Sequence, residues 1–360
     1  MLKQTSILMT AAAAMAIDCA APATAGFYDG KDVTVIVNAG AGGGLTRTGR
    51  LFTTHMKKHL GKDTNMVIKN IAGGGGVKGM NFLVEKAKKD GLTILWGTPN
   101  AMAKLLGLPG VRYDPKTLNI IGAGSTTYVS LIRADVGDGL KSRADLLKLG
   151  KPLIIGGRST TDGLGIFARL PMDVLGVKYR YVPGYNAQPK LNAAIRAKEI
   201  QSLTTGHPGY HAFYKDTILK SGEALALYYH SPMNASGEPA RLPLYDAAIE
   251  NFLDFYKENH GGKEPSGQMW EAYKWFATYA VHPFGIYAPP GLDAAKVGEL
   301  RTAFANTVKD PAFVAAYSKR LRAKPYFLIG KDAEYLVKNY DQISADGKAG
   351  LKKLTARKKK

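Results

Sequence analysis

The chain has 360 residues, 45% of them hydrophobic and 22% charged, the balance of a globular protein, which excludes wholesale disorder. At about 150 residues per domain the length suggests two domains with a core each, and 41 glycines without a three-residue period exclude collagen. Lys and Arg outnumber Asp and Glu by 49 to 29, a net charge of +20 whose candidate partners are nucleic acid, anionic membrane surface or small anionic ligands.

The first 25 residues read as a cleaved signal peptide. Lys3 supplies the positive start, Ile7 to Met9 and Ala11 to Ile17 the apolar stretch, and Ala23-Thr24-Ala25 a small-x-small cleavage site before Gly26. Asp18 interrupts the apolar run and stands where a lipoprotein site at Cys19 would want a small residue. Cleavage after Ala25 discards the only cysteine, so the mature chain is expected outside the cytoplasm without thiol, disulfide or Cys-based metal site. No later segment reaches the roughly 18 apolar residues of a membrane span.

Val33 to Val37 is a β-branched run followed by a glycine cluster, and then Leu51, Phe52, Met56 and Leu60 mark one face of a helix ending at Gly61. Met66 to Ile68, then Gly73 to Gly76, then a helix with Phe82 and Leu83 repeat the pattern, and Leu92 to Trp96 is a third strand. This is the grammar of βαβ units with a buried parallel sheet. Further strands are expected over 119–122, 129–132, 153–155, 179–182, 224–228 and 284–287. Helices are expected over 246–259, 269–282 and 292–309, with a break at Pro311, more helix and a frayed basic tail.

Gly40 to Gly44 closes the first strand and opens the first helix, where backbone amides and the helix dipole together suit an anion. It is not a P-loop, because Leu45-Thr46-Arg47 follows in place of Gly-Lys-Ser/Thr. Gly74 to Gly79 matches G-x-G-x-x-G, but the acidic ribose-binding residue about 20 positions on is missing. Dinucleotide binding and simple tight packing remain open alternatives to a shared anion site.

Val37 to Gly44 with Arg50, and Asn70 to Gly79, resemble two signatures of the periplasmic solute-binding proteins of tripartite tricarboxylate transporters, the Bug receptors. Tyr113-Asp114-Pro115, the 156–162 loop, Val182 to Ala187 and the 284–291 stretch match in order as well. The resemblance implies a two-lobed α/β Venus-flytrap fold, each lobe a mostly parallel sheet flanked by helices, with crossovers near Gly124 and near 282–285. The expected lobes are 26–124 plus 285–360, and 125–284. By position, the first lobe would offer Ala39, Gly40, Gly43, Gly44, Gly75, Gly76, Thr98 and Asn100 to a carboxylate. The second would offer Arg158, Ser159, Thr160 and Thr161, then Tyr185 and Asn186, then Thr205 and His207. Many relatives carry an Asp after the first glycine cluster; Thr46 and Arg47 stand here instead, favouring a more negative or differently oriented ligand. Gly184-Tyr185-Asn186 replaces a common Tyr-Lys-Gly, and the segment 231–282 is longer than usual.

His55 and His59 have metal-ligand spacing but no accompanying Glu, and cations surround them, so surface histidines are the better reading. No nucleophile set emerges around Ser159 and Asp162, so neither catalytic residues, metal nor cofactor is expected. Trp270, Tyr273, Trp275, Phe276 and Tyr279 read as core packing ahead of a ligand wall, while Tyr185 and Tyr210 are candidates to stack a ligand ring. The expected protein is a monomeric, exported solute-binding protein that passes an organic anion, an aromatic or dicarboxylic one among the candidates, to membrane subunits of a tripartite transporter. A periplasmic sensor feeding a kinase and an enzyme on small anions are the alternatives. An exported chain with no recognition motif is not expected to bind nucleic acid.

Overall fold

The computed structural model describes residues 26–124, 127–185, 187–231, 238–239, 248–280, 284–321 and 325–356. The expected leader over 1–25, Asn186, the second crossover at 281–283 and the basic tail from 357 lie outside these residues.

The β-branched runs form strands where their composition places them. β1 (Asp32–Val37), α1 (Gly44–Leu60), β2 (Asn65–Asn70), α2 (Val77–Glu85) and β3 (Thr93–Gly97) follow in order. β1 lies between β2 and β3 and is parallel to both. α1 buries Phe52, Met56 and Leu60 on one face. Next come α3 (Ala101–Leu105) and β4 (Asn119–Gly124), after which the chain leaves this sheet and builds a second.

The second sheet is assembled from β5 (Tyr128–Arg133), β6 (Leu153–Gly156), α4 (Gly163–Val174), β7 (Tyr179–Val182), α5 (Gln188–Arg196) and β8 (Ser202–Gly206). A short α6 (His207–Gly209) runs into a π-helical segment, Tyr210–Leu219, before β9 (Ala224–His230), α7 (Phe252–Asn259) and α8 (Gln268–Ala280). β10 (Phe284–Ala288) returns to the first sheet, followed by α9 (Ala294–Lys309), α10 (Pro311–Leu321), β11 (Phe327–Leu328), α11 (Gly330–Lys338) and α12 (Ala345–Ala356).

Strand order is β11-β4-β10-β3-β1-β2 in one sheet and β7-β6-β8-β5-β9 in the other. β10 is antiparallel to both its neighbours, and so is β5. These are the strands the chain delivers from the opposite sheet, so each sheet is mixed around its crossover strand. The result is a two-lobed α/β architecture with helices on the sheet faces.

One core is built on the first sheet around Phe52, Trp96, Phe304 and Phe313. Gly49 admits the indole of Trp96, since a Cβ there would lie 2.8 Å from its Cδ1. The second sheet's core gathers α4, α8 and the Leu351 and Leu354 side chains of α12. α12 thus packs on α8, with Gly350 so close that a Cβ would meet the Gln268 carbonyl at 2.3 Å.

Two boundaries and one strand differ from the sequence reading. The helix expected from 246 begins at Phe252, because Asn251 caps it by accepting from the Asp254 amide at 3.0 Å. The break expected at Pro311 is at Asp310, and Pro311 opens α10. β8 has no apolar alternation, yet it is central, and its Ser202 and Thr204 hydroxyls bond the Leu131 carbonyl and Ser130 at 2.8 Å each.

Candidate functional site

The C-terminal ends of β1 and β3 converge on Asn38. Its buried side-chain amide donates to the carbonyls of Thr98 at 2.8 Å and Gly76 at 3.2 Å, while its oxygen accepts from the Thr98 amide at 3.2 Å. Cβ atoms on Gly76, Gly79 or Gly97 would collide with Asn38 at 2.0–2.8 Å. The second glycine cluster therefore serves close packing around this amide. Gly75, with φ of +64°, sits at its crest: the Asn100 amide donates to its carbonyl at 3.0 Å, and a Cβ on it would lie 3.9 Å from Thr161 Oγ1 across the cleft.

The facing loop on the second sheet is held by a dense network. Asp162 is buried, caps α4 by accepting from the Gly165 amide at 3.0 Å, and accepts from Arg158 Nε at 2.8 Å. Ser159 Oγ accepts from the amides of Thr161 and Asp162 at 3.2 and 3.1 Å. Beneath the loop the buried Arg169 guanidinium donates to the carbonyls of Thr160 and Gly165 and lies over the Tyr181 ring at 4.8 Å. Burial lowers the pKa of Arg169 and raises that of Tyr181.

Between these loops is a cavity of about 400 Å³. Elements of both sheets line it: Gly43, Gly44 and Arg47 at the start of α1, Thr98 and Asn100 after β3, and Arg158, Thr161 and Tyr185 opposite. Among the described residues Arg47 has no ion-pair partner, whereas Arg158 is engaged by Asp162. The site thus brings Arg47 and Arg320, neither ion-paired among the described residues, a helix start without a side-chain cap and several hydroxyl and amide groups to one space. That combination suits a carboxylate.

Ala39, Gly40, Gly76, Ser159 and Thr160 do not line this cavity; the carbonyls of Ala39, Gly40, Gly76 and Thr160 and the Ser159 hydroxyl accept hydrogen bonds that hold the loops beside it. Thr46 is buried; its hydroxyl donates to the Gly40 carbonyl and accepts from Asn70, both at 2.9 Å, so it braces the first glycine loop. Thr205 is fully buried, packed against Gly209. His207 is buried with its Nε2 3.0 Å from that of His211, although its neighbours Gly206, Pro208 and Gly209 line the cavity. Tyr210 belongs to the core beside β8 and does not reach the cavity, which corrects its reading as a ligand-stacking ring. His59 pairs with Asp310 at 3.0 Å and His55 packs edge-on against Phe313, so neither faces a shared ligand.

The aromatic helix divides. Trp270 and Tyr273 of α8 are core, but Trp275, Phe276 and Tyr279 line the cavity. Their core-like composition conceals this, because a wall and a core both need large apolar side chains. The opposing hydrophobic groups come from β10, as Phe284 and Tyr287, and from Leu164 and Leu321.

No protein-family model matches this sequence, and no curated protein matches it. Solved structures do. The periplasmic binding protein BugD superposes with a TM-score of 0.58 at 17% identity, covering 90% of this chain and 95% of its own. MatC from Rhodopseudomonas palustris with bound malate gives 0.59 at 16% identity, over 90% and 98% of the two chains. An R. palustris protein with adipate gives 0.64 at 17% identity, over 90% and 97%. Over nearly its whole described length, the chain has the two-lobed α/β fold of these periplasmic binding proteins.

Proposed function

We propose that this chain is an exported solute-binding protein of the Bug type that captures an organic carboxylate between its lobes and hands it to the membrane subunits of a tripartite transporter. The observation that carries the reading is the cavity lined from both sheets, with Arg47 uncompensated beside the first turn of α1 and Arg158 held opposite by Asp162. The malate and adipate of the similar structures support a carboxylate as the ligand class. Residues 1–25 act as the cleaved leader to the periplasm and the mature chain works as a monomer. The lobes divide as 26–124 with 285–360, and 125–284, with α12 strapped onto the second.

Capture is a binding event without chemistry. Backbone amides of the first glycine loop and the hydroxyls of Thr98 and Thr161 replace the carboxylate's hydration, and lobe closure excludes water around them. The scattered lysines raise the rate of encounter. A thermal-shift panel tests the reading: at about 100 times its dissociation constant a true ligand adds about 2.7 kcal/mol of stability. Organic acids should raise Tm and their neutral amides should not. Stabilisation by sugars or free amino acids alone overturns the proposal.

A further inference from the structure

We propose that the ligand is a carboxylate carried on an aromatic or aryl-alkyl body, and that Trp275, Phe276 and Tyr279 of α8 form the wall that selects it. This inference rests on the carboxylate reading of the same cavity and specifies what fills the rest of it.

The wall's chemistry follows from where its polar atoms go. The indole N–H of Trp275 donates to the Tyr340 carbonyl at 3.1 Å, and the Tyr279 hydroxyl donates to the Asn339 carbonyl. Both handles are tied off on the backbone behind α8, so the groups facing the cavity are ring surfaces. Met102 and Leu164 continue this surface, since both pack with the cluster that contains the wall. The hydroxyl of a short hydroxy acid placed against it would lose hydration without a partner. An aryl group leaves no polar group unpaired and gains ring contacts.

The wall is also preformed. Trp275 and Tyr279 pack at 5.0 Å between ring centroids, and Phe276 packs on Phe167 at 4.8 Å. Phe167 in turn lies 4.5 Å from His230 and 4.9 Å from Tyr128, another lining residue. Behind α8, Gly347 and Gly350 let α12 approach so closely that Cβ atoms there would meet the Glu271 and Gln268 carbonyls at 3.2 and 2.3 Å. Moving α8 into the cavity to meet a small ligand would pull it off this close contact. An apolar cavity of about 150 Å³ takes benzene, so about 400 Å³ holds a ring together with its acidic head and linker.

The test is titration calorimetry of the full mature chain with cinnamate, phenylacetate, adipate, malate and the neutral cinnamamide. An aryl acid should bind at least about tenfold tighter than adipate or malate, the gain expected from burying one ring. Adipate or malate binding as tightly as the aryl acids overturns the aromatic body and leaves the carboxylate reading standing. Cinnamamide binding as tightly as cinnamate overturns the carboxylate reading instead. Trp275→Ala should weaken cinnamate about tenfold while changing adipate by less than about threefold; equal loss for both overturns the wall. The wild-type panel decides the ligand class even if that variant does not fold, and Phe276→Leu, which keeps an apolar core side chain, repeats the selectivity comparison.

Discussion

Acidification should destabilise this protein through one buried side chain. His230 is fully buried on β9, with its Nε2 3.0 Å from Ser130 Oγ and its Nδ1 3.1 Å from the Tyr273 hydroxyl. Ser130 is bonded in turn to Thr204, and the imidazole lies against the ring of Phe167. Burial pushes its pKa down from 6.5 to about 3. The folded-state pKa is depressed, so the unfolded chain takes up a proton that the folded chain refuses. The stability is fully present above about pH 6.5 and is lost as the pH falls toward about 3. Between about pH 7.5 and pH 5 the loss is RT ln{(1 + 10^1.5)/[(1 + 10^−2)(1 + 10^−1)]}, or about 2 kcal/mol. Urea unfolding of the wild type and His230→Asn at both pH values measures it. The variant loses hydrogen-bonding capacity and starts lower, but its pH dependence should be shallower by about 2 kcal/mol over this interval, and contributions from other titrating groups cancel in the difference. Parallel pH profiles would refute the linkage.

Arg47→Met should leave the Tm of the empty protein within about a degree, since the side chain is exposed and has no ion pair among the described residues, while lowering carboxylate affinity about tenfold or more by calorimetry. Gly165→Ala should cost about 3 kcal/mol in chemical denaturation and abolish binding, because its Cβ would lie 1.9 Å from the Ser159 carbonyl that shapes the Arg158 loop. Thr46→Asp should act through stability, losing about 3 kcal/mol as a buried carboxylate replaces the hydroxyl between Gly40 and Asn70; a variant as stable as the wild type contradicts the bracing role. Raising salt should slow capture in stopped-flow measurements more than it speeds release, because the scattered lysines act during approach.

The elements most legible in the sequence were those whose signal is local. The β-branched runs of β1 and β3 and the helical face of α1 need only their own side-chain pattern. β8 escaped because its signal is tertiary: Ser202 and Thr204 are buried by pairing with hydroxyl and carbonyl groups of β5, which no periodicity reveals. The site residues divide on the same line. Arg47, Thr98, Asn100, Arg158, Thr161 and Tyr185 follow motifs at strand ends and do line the cavity. Thr205 and His207 share that position in the chain, but the turn into α6 and the π-helical segment buries both. The aromatic wall was the least legible part, since its composition fits a core equally well.

By itself the sequence determined the alternation of strands and helices, the glycine loops at strand ends and the excess of positive charge, because each depends on residues within a few positions of one another. Tertiary structure decided what those features are for. It turned Gly76, Gly79 and Gly97 into a packing cradle for Asn38, spent Thr46 on the loop's own backbone, and left Arg47 facing open space. It also split α8 between core and cavity, a distinction set by α12, Tyr340 and Asn339 arriving from residues far along the chain. Long-range contacts alone choose which apolar face is filled by protein and which is left for a ligand.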